Sequence, residues 1–186
     1  MKIIISLMML FVSAQVFAVD VEGANLEDKV QLDAQQVILN GTGLRKKLFI
    51  KVYAAGLYLS GKMNTSEAIL ADAGAKRMTF HLLREVSGKQ MLDAINEAMP
   101  SNNSAEEMKV LEARLAEFSK IFAAVPTVNK GEVINFDYLP ATGTRITIAG
   151  VEKGRIEGAD FMRALLKVWI GDKPVQENMK QSLLGK

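Results

Sequence analysis

The order of strand-like and helix-like segments is the feature that most restricts the fold of this chain. A long β-rich segment runs from about Lys29 to Leu59, and a further strand follows at Arg77 to Arg84. The helical segments come later and are interleaved with an antiparallel hairpin, so a helix does not follow every strand. This order argues against a doubly wound parallel sheet and predicts a single α+β domain.

Glycine and alternating side chains define the predicted strands. Asn40-Gly41-Thr42-Gly43 interrupts the first β-rich segment and predicts a turn or bulge, because glycine tolerates unusual dihedral angles. The chain is expected to resume a strand from Leu48 to Leu59. In the next strand, alternation should place Met78, Phe80 and Leu82 on one side and Thr79, His81 and Leu83 on the other.

Three segments have the pattern of helices. Ser87 is a suitable N-cap for a helix from about Gly88 to Met99, and Pro100 to Ser104 is expected to interrupt the chain. Ser104 followed by Glu107 has the form of a capping box for the second helix. A hairpin over about residues 133–148 precedes the third helix, which is expected at about residues 159–170.

The first eighteen residues have the pattern of a signal peptide. Lys2 precedes an apolar stretch from Ile3 to Val12, and Val16 and Ala18 flank a site that a signal peptidase would cleave. The stretch is about ten residues long, whereas a bilayer core needs roughly 20. We therefore predict a signal peptide at residues 1–18, a domain at residues 19–186 and a periplasmic or secreted protein. An uncleaved anchor is the alternative, and no stable membrane insertion is expected after cleavage.

Composition excludes several kinds of chemistry. The chain contains no cysteine and a single histidine, His81, so disulfides, thiol catalysis and Cys- or His-rich metal sites are excluded. No cofactor or metal is predicted. The formal net charge of +2 gives no indication of a nucleic-acid partner or of an anionic membrane surface.

Several motifs together resemble the chalcone isomerase-like family, in its short, secreted bacterial branch. They are Leu39–Arg45, Phe49–Leu59, Lys76–Phe80, Arg84–Ser87 and Ala164–Val175. The resemblance covers essentially the whole chain after the predicted signal peptide. It implies an open-faced β-sandwich, a large antiparallel sheet with helices packed on one face, and an apolar cleft between the sheet and the helices.

The resemblance also implies a ligand anchor. The family contains enzymes that close a chalcone into a flavanone and relatives that bind fatty acids, and both use an arginine that matches Arg45. The other positions of the enzymes correspond to Tyr53, Met91, Ala98 and Val168, none of which matches the enzymes' residue. Because cyclisation requires two reacting groups to be positioned, chalcone isomerase activity is not expected.

Each of these residues also has an ordinary structural interpretation. Without the family, Arg45 would be part of a solvated basic turn, since long cations mostly lie at the surface. Tyr53 is as easily a packed strand residue as a ligand donor. His81 fits a structural role better than a proton shuttle. Met91 belongs to a set of methionines that either line an adaptable pocket or simply pack: Met91, Met99, Met108 and Met162.

The sequence thus favours a protein that binds a small amphipathic anion, such as a fatty acid or another carboxylate or phenolic ligand. Arg45 is the predicted anchor, and Tyr53, Met91 and Val168 are the other predicted ligand contacts. One alternative is an isomerase or intramolecular lyase in which Arg45 stabilises an oxyanion. Another is an interaction module of the cell envelope. The oligomeric state is not indicated by the sequence.

Overall fold

The computed structural model describes residues 18–186. The predicted signal peptide lies outside the described residues, except for Ala18, which begins the first strand. The strands are β1 (Ala18–Val21), β2 (Ala24–Glu27), β3 (Lys29–Leu32), β4 (Gln35–Lys47), β5 (Ile50–Leu59), β6 (Lys76–Leu82), β7 (Val133–Leu139), β8 (Gly143–Ile148) and β9 (Val151–Ile156). The helices are α1 (Ser66–Ala71), α2 (Gly88–Asn102), α3 (Ala105–Ala123), α4 (Ala159–Ile170) and α5 (Glu177–Leu183).

Seven strands, β3 to β9, form one antiparallel sheet. Their order in the sheet is their order in the chain, so every strand pairs with the next one. The sheet is curled, the helices pack on one of its faces, and β1 and β2 form a separate hairpin. The predicted α+β class and the predicted architecture are both confirmed.

The face of the sheet under the helices carries the main core. Phe80 and Phe136 project from neighbouring strands, and Trp169 on α4 packs with its ring 4.9 Å from that of Phe80. Phe118 on α3 contacts Phe136 from the other side. These aromatic rings are almost fully buried, and burial of each large side chain contributes roughly 1.5–3 kcal/mol to folding.

The opposite face of the sheet has a smaller apolar cluster under the β1–β2 hairpin. Leu26 of β2 is buried there against Tyr58 of β5, together with Leu39 of β4. Beyond this cluster the face is polar, as the alternation in β6 predicted for Thr79 and His81. The hairpin therefore covers only part of this face.

Several boundaries differ from those expected from the sequence. Helix α2 continues through Pro100 to Asn102. The Asn102 side chain donates to the carbonyl oxygens of Ala98 and Lys173 and accepts from the Lys173 N–H, so it joins this end of the helix to the chain after α4. The expected interruption begins only at Asn103. Within residues 18–186 there are five helices rather than three, and the sequence reasoning did not identify β1, β2, β9, α1 or α5.

The Gly-rich motif is a bulge inside β4, at a place where α5 packs directly on the strand. The register of β4 against β5 shifts between Leu39 and Gly41. A Cβ atom added at Gly41 would lie 2.2 Å from the carbonyl oxygen of Ser182, and one at Gly43 would lie 2.7 Å from the side chain of Met179. Both positions therefore require glycine because α5 approaches the backbone so closely.

No helix within the described residues 18–186 is long and apolar enough to cross a membrane.

Candidate functional site

Arg45 and Tyr53 lie directly opposite each other on adjacent strands. They are register partners in the β4–β5 pair, so both side chains leave the same face of the sheet. Tyr53 packs edge-to-face on Phe80, which identifies this face as the one that the helices cover. Both residues are half-buried. The structure thus brings together the two polar residues of the predicted site.

The guanidinium of Arg45 contacts only neutral groups in the described part of the chain. Its Nη1 donates to the carbonyl oxygen of Lys46 at 2.8 Å and to Oε1 of Gln176 at 3.3 Å. By contrast, four other arginines pair with carboxylates: Arg77 and Arg145 with Asp137, Arg114 with Asp160, and Arg155 with Glu152. Arg45 is therefore a half-buried cation whose charge no side chain of residues 18–186 neutralises.

Two further arginines have no carboxylate partner within residues 18–186, but neither lies on a strand of the sheet. Arg163 is on α4 and donates to the carbonyl oxygen of Leu70. Arg84 follows β6, and its Nε is buried without a hydrogen-bond partner in the described residues. Arg84 belongs to a motif that the sequence singled out, although no role was predicted for it.

The hydroxyl of Tyr53 accepts a hydrogen bond from the indole of Trp169 at 2.9 Å. Burial raises the pKa of Tyr53 to about 12, although the Trp169 bond and the positive charge of Arg45 oppose this rise. The phenol is therefore neutral at physiological pH and keeps its proton. That proton is donated to no acceptor among residues 18–186, so it remains available for a ligand oxygen.

Gln176, at the start of α5, covers the Arg45 end of β4. Its Oε1 accepts from the backbone N–H of Lys46 at 2.9 Å as well as from Arg45, and its Nε2 donates to the carbonyl oxygen of Leu44 at 2.9 Å. Oε1 thus occupies a position where a carboxylate oxygen would be attracted to Arg45. Sequence reasoning missed Gln176, because the contact joins residues 131 positions apart.

The other two predicted contacts lie in the apolar layer of the same face. Met91, in the first turn of α2, is half-buried against the main core. Val168 is the neighbour of Trp169 on α4 and is only 1% exposed. Val168 is thus a core residue in this conformation, and any ligand contact with it requires α4 or α5 to move. The same applies to Met99 and Met162, which are each 1% exposed.

A cavity of about 620 Å³ lies on the opposite face of the sheet, and neither Arg45 nor Tyr53 lines it. It is an open groove between the β1–β2 hairpin and strands β5 to β7, and its lining includes Tyr58, Arg77, Thr79, His81 and Asn135. Arg77 is paired with Asp137, and Thr79 donates to Asn135. Since these polar groups pair with one another, the groove offers an anion no unpaired cation comparable to Arg45.

His81 lies in this groove and not near Arg45. It is half-buried, and burial lowers its pKa below the ordinary value. No carboxylate of residues 18–186 forms an ion pair with it. In the described residues His81 therefore has no hydrogen-bonded carboxylate that would make it a proton-transfer pair. Clusters of three or more His, Cys, Asp or Glu that could hold a metal ion are also not found among the described residues.

The curled sheet, the helices on one face and an arginine–tyrosine pair on that same face define an open-faced β-sandwich with a candidate anion site. A family model described as chalcone isomerase-like matches residues 18–185, and the chain belongs to that family. No curated protein matches the chain.

Among solved structures, the fold is similar to the crystal structure of a fatty-acid binding protein from Arabidopsis thaliana. The TM-score is 0.68 and the sequences are 17% identical. The match covers 91% of this chain and 96% of the Arabidopsis chain. The predicted family and the predicted fold are therefore confirmed.

Proposed function

We propose that this protein binds a small amphipathic anion, such as a fatty acid or an aromatic acid, and does not catalyse a reaction on it. The carboxylate would accept hydrogen bonds from Arg45 and from the hydroxyl of Tyr53. The apolar part would lie between the sheet and the helices. If the N-terminal segment acts as a signal peptide, binding would take place in the periplasm or outside the cell.

The uncompensated charge of Arg45 is the observation that carries this proposal. A half-buried guanidinium without a carboxylate partner in the described chain is costly, and a ligand anion would recover that cost through a charge-assisted bond. Tyr53 adds a neutral donor directly opposite. A cation and a phenolic O–H on the same face suit a carboxylate, which accepts hydrogen bonds on both oxygens.

The surroundings of the pair favour a ligand with an apolar body. Tyr53 is continuous with the aromatic layer through Phe80 and Trp169, which belong to the main core. A ligand chain that entered this layer would gain about 25 cal/mol for each Å² of apolar surface removed from water. The similar fold of the Arabidopsis fatty-acid binding protein supports the same class of ligand.

Entry of the ligand requires Gln176 to move. Its carboxamide oxygen bonds to both Arg45 and the Lys46 N–H, so a carboxylate would replace one neutral acceptor with a charged one. Charge-assisted bonds are roughly twice as strong as neutral ones, which favours the exchange. A conformation in which Gln176 bonds to Arg45 is then closed to the ligand.

Catalysis is the second candidate function, and the site supports it less. An isomerase or intramolecular lyase would need a second polar group to position or activate the substrate. Tyr53 has a pKa of about 12 and cannot act as a base near neutral pH. The apolar residues Met91 and Val168 offer no hydrogen bond to a substrate oxygen of the kind a chalcone isomerase needs.

Isothermal titration calorimetry with oleate tests the proposal. Arg45→Gln keeps a long polar side chain but removes the charge, and we expect it to weaken binding by about 2–5 kcal/mol. Arg155→Gln is the matched control, because Arg155 lies on β9 and pairs with Glu152. Equal affinity of the Arg45→Gln variant and the parent would overturn the anchor role. Equal losses in both arginine variants would show an effect of net charge alone.

A further inference from the structure

The tip of the β4–β5 hairpin exposes three consecutive apolar side chains. Leu48 is 87% exposed, Phe49 is 98% exposed and Ile50 is 57% exposed. Within residues 18–186 few other large apolar residues are exposed, and they lie on three different elements: Val19 on β1, Val110 on α3 and Val151 on β9. Single exposed apolar residues need no explanation, but a continuous apolar tip marks an interaction surface.

The backbone at this tip is strained at Leu48. Lys47 pairs with Ile50, so Leu48 and Phe49 form a two-residue loop. Leu48 has a φ of 55°, a conformation that hairpin loops normally give to glycine or asparagine. A leucine here is unfavourable for the isolated domain, and strain at a surface position often accompanies function.

Cations surround the apolar tip. Arg45, Lys46, Lys47 and Lys51 flank it on both strands. Lys51 pairs with Glu22, but no carboxylate of residues 18–186 forms an ion pair with Lys46 or Lys47. The tip thus combines a net positive charge with protruding apolar side chains.

We propose that this hairpin tip docks on the surface of an anionic phospholipid bilayer. Phe49 and Leu48 would enter the boundary between headgroups and acyl chains, where an apolar body is favoured. Lys46, Lys47 and Lys51 have apolar stems and charged ends, so they can stay at headgroup level and contact anionic lipids. The partner is a lipid surface and not a protein groove, because cations flank the apolar residues on both strands.

The inference goes beyond ligand binding and does not depend on it. Docking would nevertheless have a consequence for the site, because Arg45 lies on β4 only two residues before the loop-flanking Lys47. The end of the sheet that carries Arg45 and Tyr53 would face the bilayer. An amphipathic ligand could then pass between the membrane and the site over a short distance.

Vesicle flotation without added fatty acid tests the docking. The full-length chain is expressed and the protein is purified. Its mass is then measured to verify that the parent and the variants have the same N-terminus. One set of vesicles contains phosphatidylglycerol in phosphatidylethanolamine, and the other contains phosphatidylcholine alone. We expect binding to the first set, weaker binding to the second, and loss in about 1 M salt, where the Debye length is about 3 Å.

Variants separate the apolar and the electrostatic contributions. Phe49→Ser should weaken binding about ten- to hundredfold, from the loss of one buried aromatic side chain. Lys46→Gln with Lys47→Gln should weaken it about thirtyfold, since each juxtamembrane cation contributes roughly fivefold. Val110→Ser on α3 is the matched control and should bind as the parent does.

The tryptophan fluorescence of a Phe49→Trp variant reports directly whether the hairpin tip enters the bilayer. Trp169 is buried and only 4% exposed, so lipids brominated in the acyl chain should quench mainly the fluorescence of the new indole at position 49. Strong quenching of this variant, but not of Val110→Trp, is the expected result. Failure of the parent to float with anionic vesicles, or equal binding of Phe49→Ser, would overturn the proposal. Equal binding of Phe49→Ser would indicate that the tip instead contacts a protein partner.

Discussion

Replacement of Gln176 by glutamate would introduce an internal competitor for the ligand. In the parent, the neutral Oε1 of Gln176 lies 3.3 Å from Nη1 of Arg45 and 2.9 Å from the backbone nitrogen of Lys46. A glutamate of nearly the same shape would place a carboxylate against both donors. Arg45 would then gain the intramolecular partner that it lacks in the described chain.

The expected effect on ligand affinity is much larger than the effect on stability. Two unit charges about 4 Å apart attract by about 4 kcal/mol at an effective dielectric constant of 20, before desolvation is counted. For a half-exposed pair the net gain falls to about 1 kcal/mol, and loss of the bond from Gln176 to Leu44 offsets a similar amount. Stability should hardly change. The ligand, however, must displace the glutamate or bind beside it, and the repulsion between two carboxylates about 4 Å apart opposes binding by about 1–4 kcal/mol.

Calorimetric titration with oleate and thermal unfolding are the two measurements. Gln176→Glu should lower oleate affinity by about fivefold or more, with little change in Tm. Gln176→Ala is the matched control, since it removes the same side-chain contacts without adding charge, and it should bind at least as well as the parent. Parent-like affinity in Gln176→Glu would refute the reasoning, because it would mean that the ligand does not use Arg45.

Three further predictions concern single residues. Tyr53→Phe should keep the fold but weaken oleate binding by about 1–2 kcal/mol, and parent-like affinity in calorimetry would exclude the hydroxyl as a donor. Gly41→Ala should lower the free energy of unfolding by about 1–3 kcal/mol, because its Cβ would meet the carbonyl oxygen of Ser182; an unchanged urea midpoint would contradict this. Burial lowers the pKa of His81, so the unfolded chain takes up a proton first as the pH falls. Stability should therefore be complete above about pH 6.5 and decline below it, and His81→Asn should flatten this decline; identical pH profiles would exclude the effect.

Local patterns in the sequence were sufficient for most of the sheet and for the caps of two helices. Ser87 and Ser104 cap α2 and α3 as expected, each with a capping box. The alternation of β6 places Phe80 under the helices and His81 on the other face. Such features depend on interactions between residues that are close together in the chain, so the sequence alone is enough to predict them.

The elements that were missed depend on distant parts of the chain. Helix α5 is short and has little apolar surface, with Met179 and Leu183 as its buried residues. Its place is set by the glycine positions of β4, about 140 residues earlier in the chain, which leave room for its backbone. A helix of this length is not stable by itself, so the helix propensity of its residues does not predict it.

The candidate site was also predictable from the sequence only in part. The family resemblance identified Arg45 and Tyr53, and their cross-strand pairing follows from the register of β4 and β5. The contact of Gln176 with Arg45 and the bond from Trp169 to Tyr53 join residues more than 100 positions apart. Neither is visible without the folded chain, although both determine which donors remain for a ligand.

The net charge of the whole chain does not describe the charge at the β4–β5 hairpin tip. A formal charge of +2 for the whole chain suggested no affinity for anionic membranes. The folded chain nevertheless places Lys46, Lys47 and Lys51 beside the exposed Leu48 and Phe49. Such a cluster acts within about a Debye length, so the total charge of the protein does not describe it.

A crystal structure of the complex with oleate would test the central claim most directly. The account predicts that the carboxylate lies within hydrogen-bond distance of both the Arg45 guanidinium and the Tyr53 hydroxyl, with Gln176 displaced. The acyl chain should then lie between the sheet and α4. Oleate bound in the groove beside His81, with Arg45 still bonded to Gln176, would contradict the account.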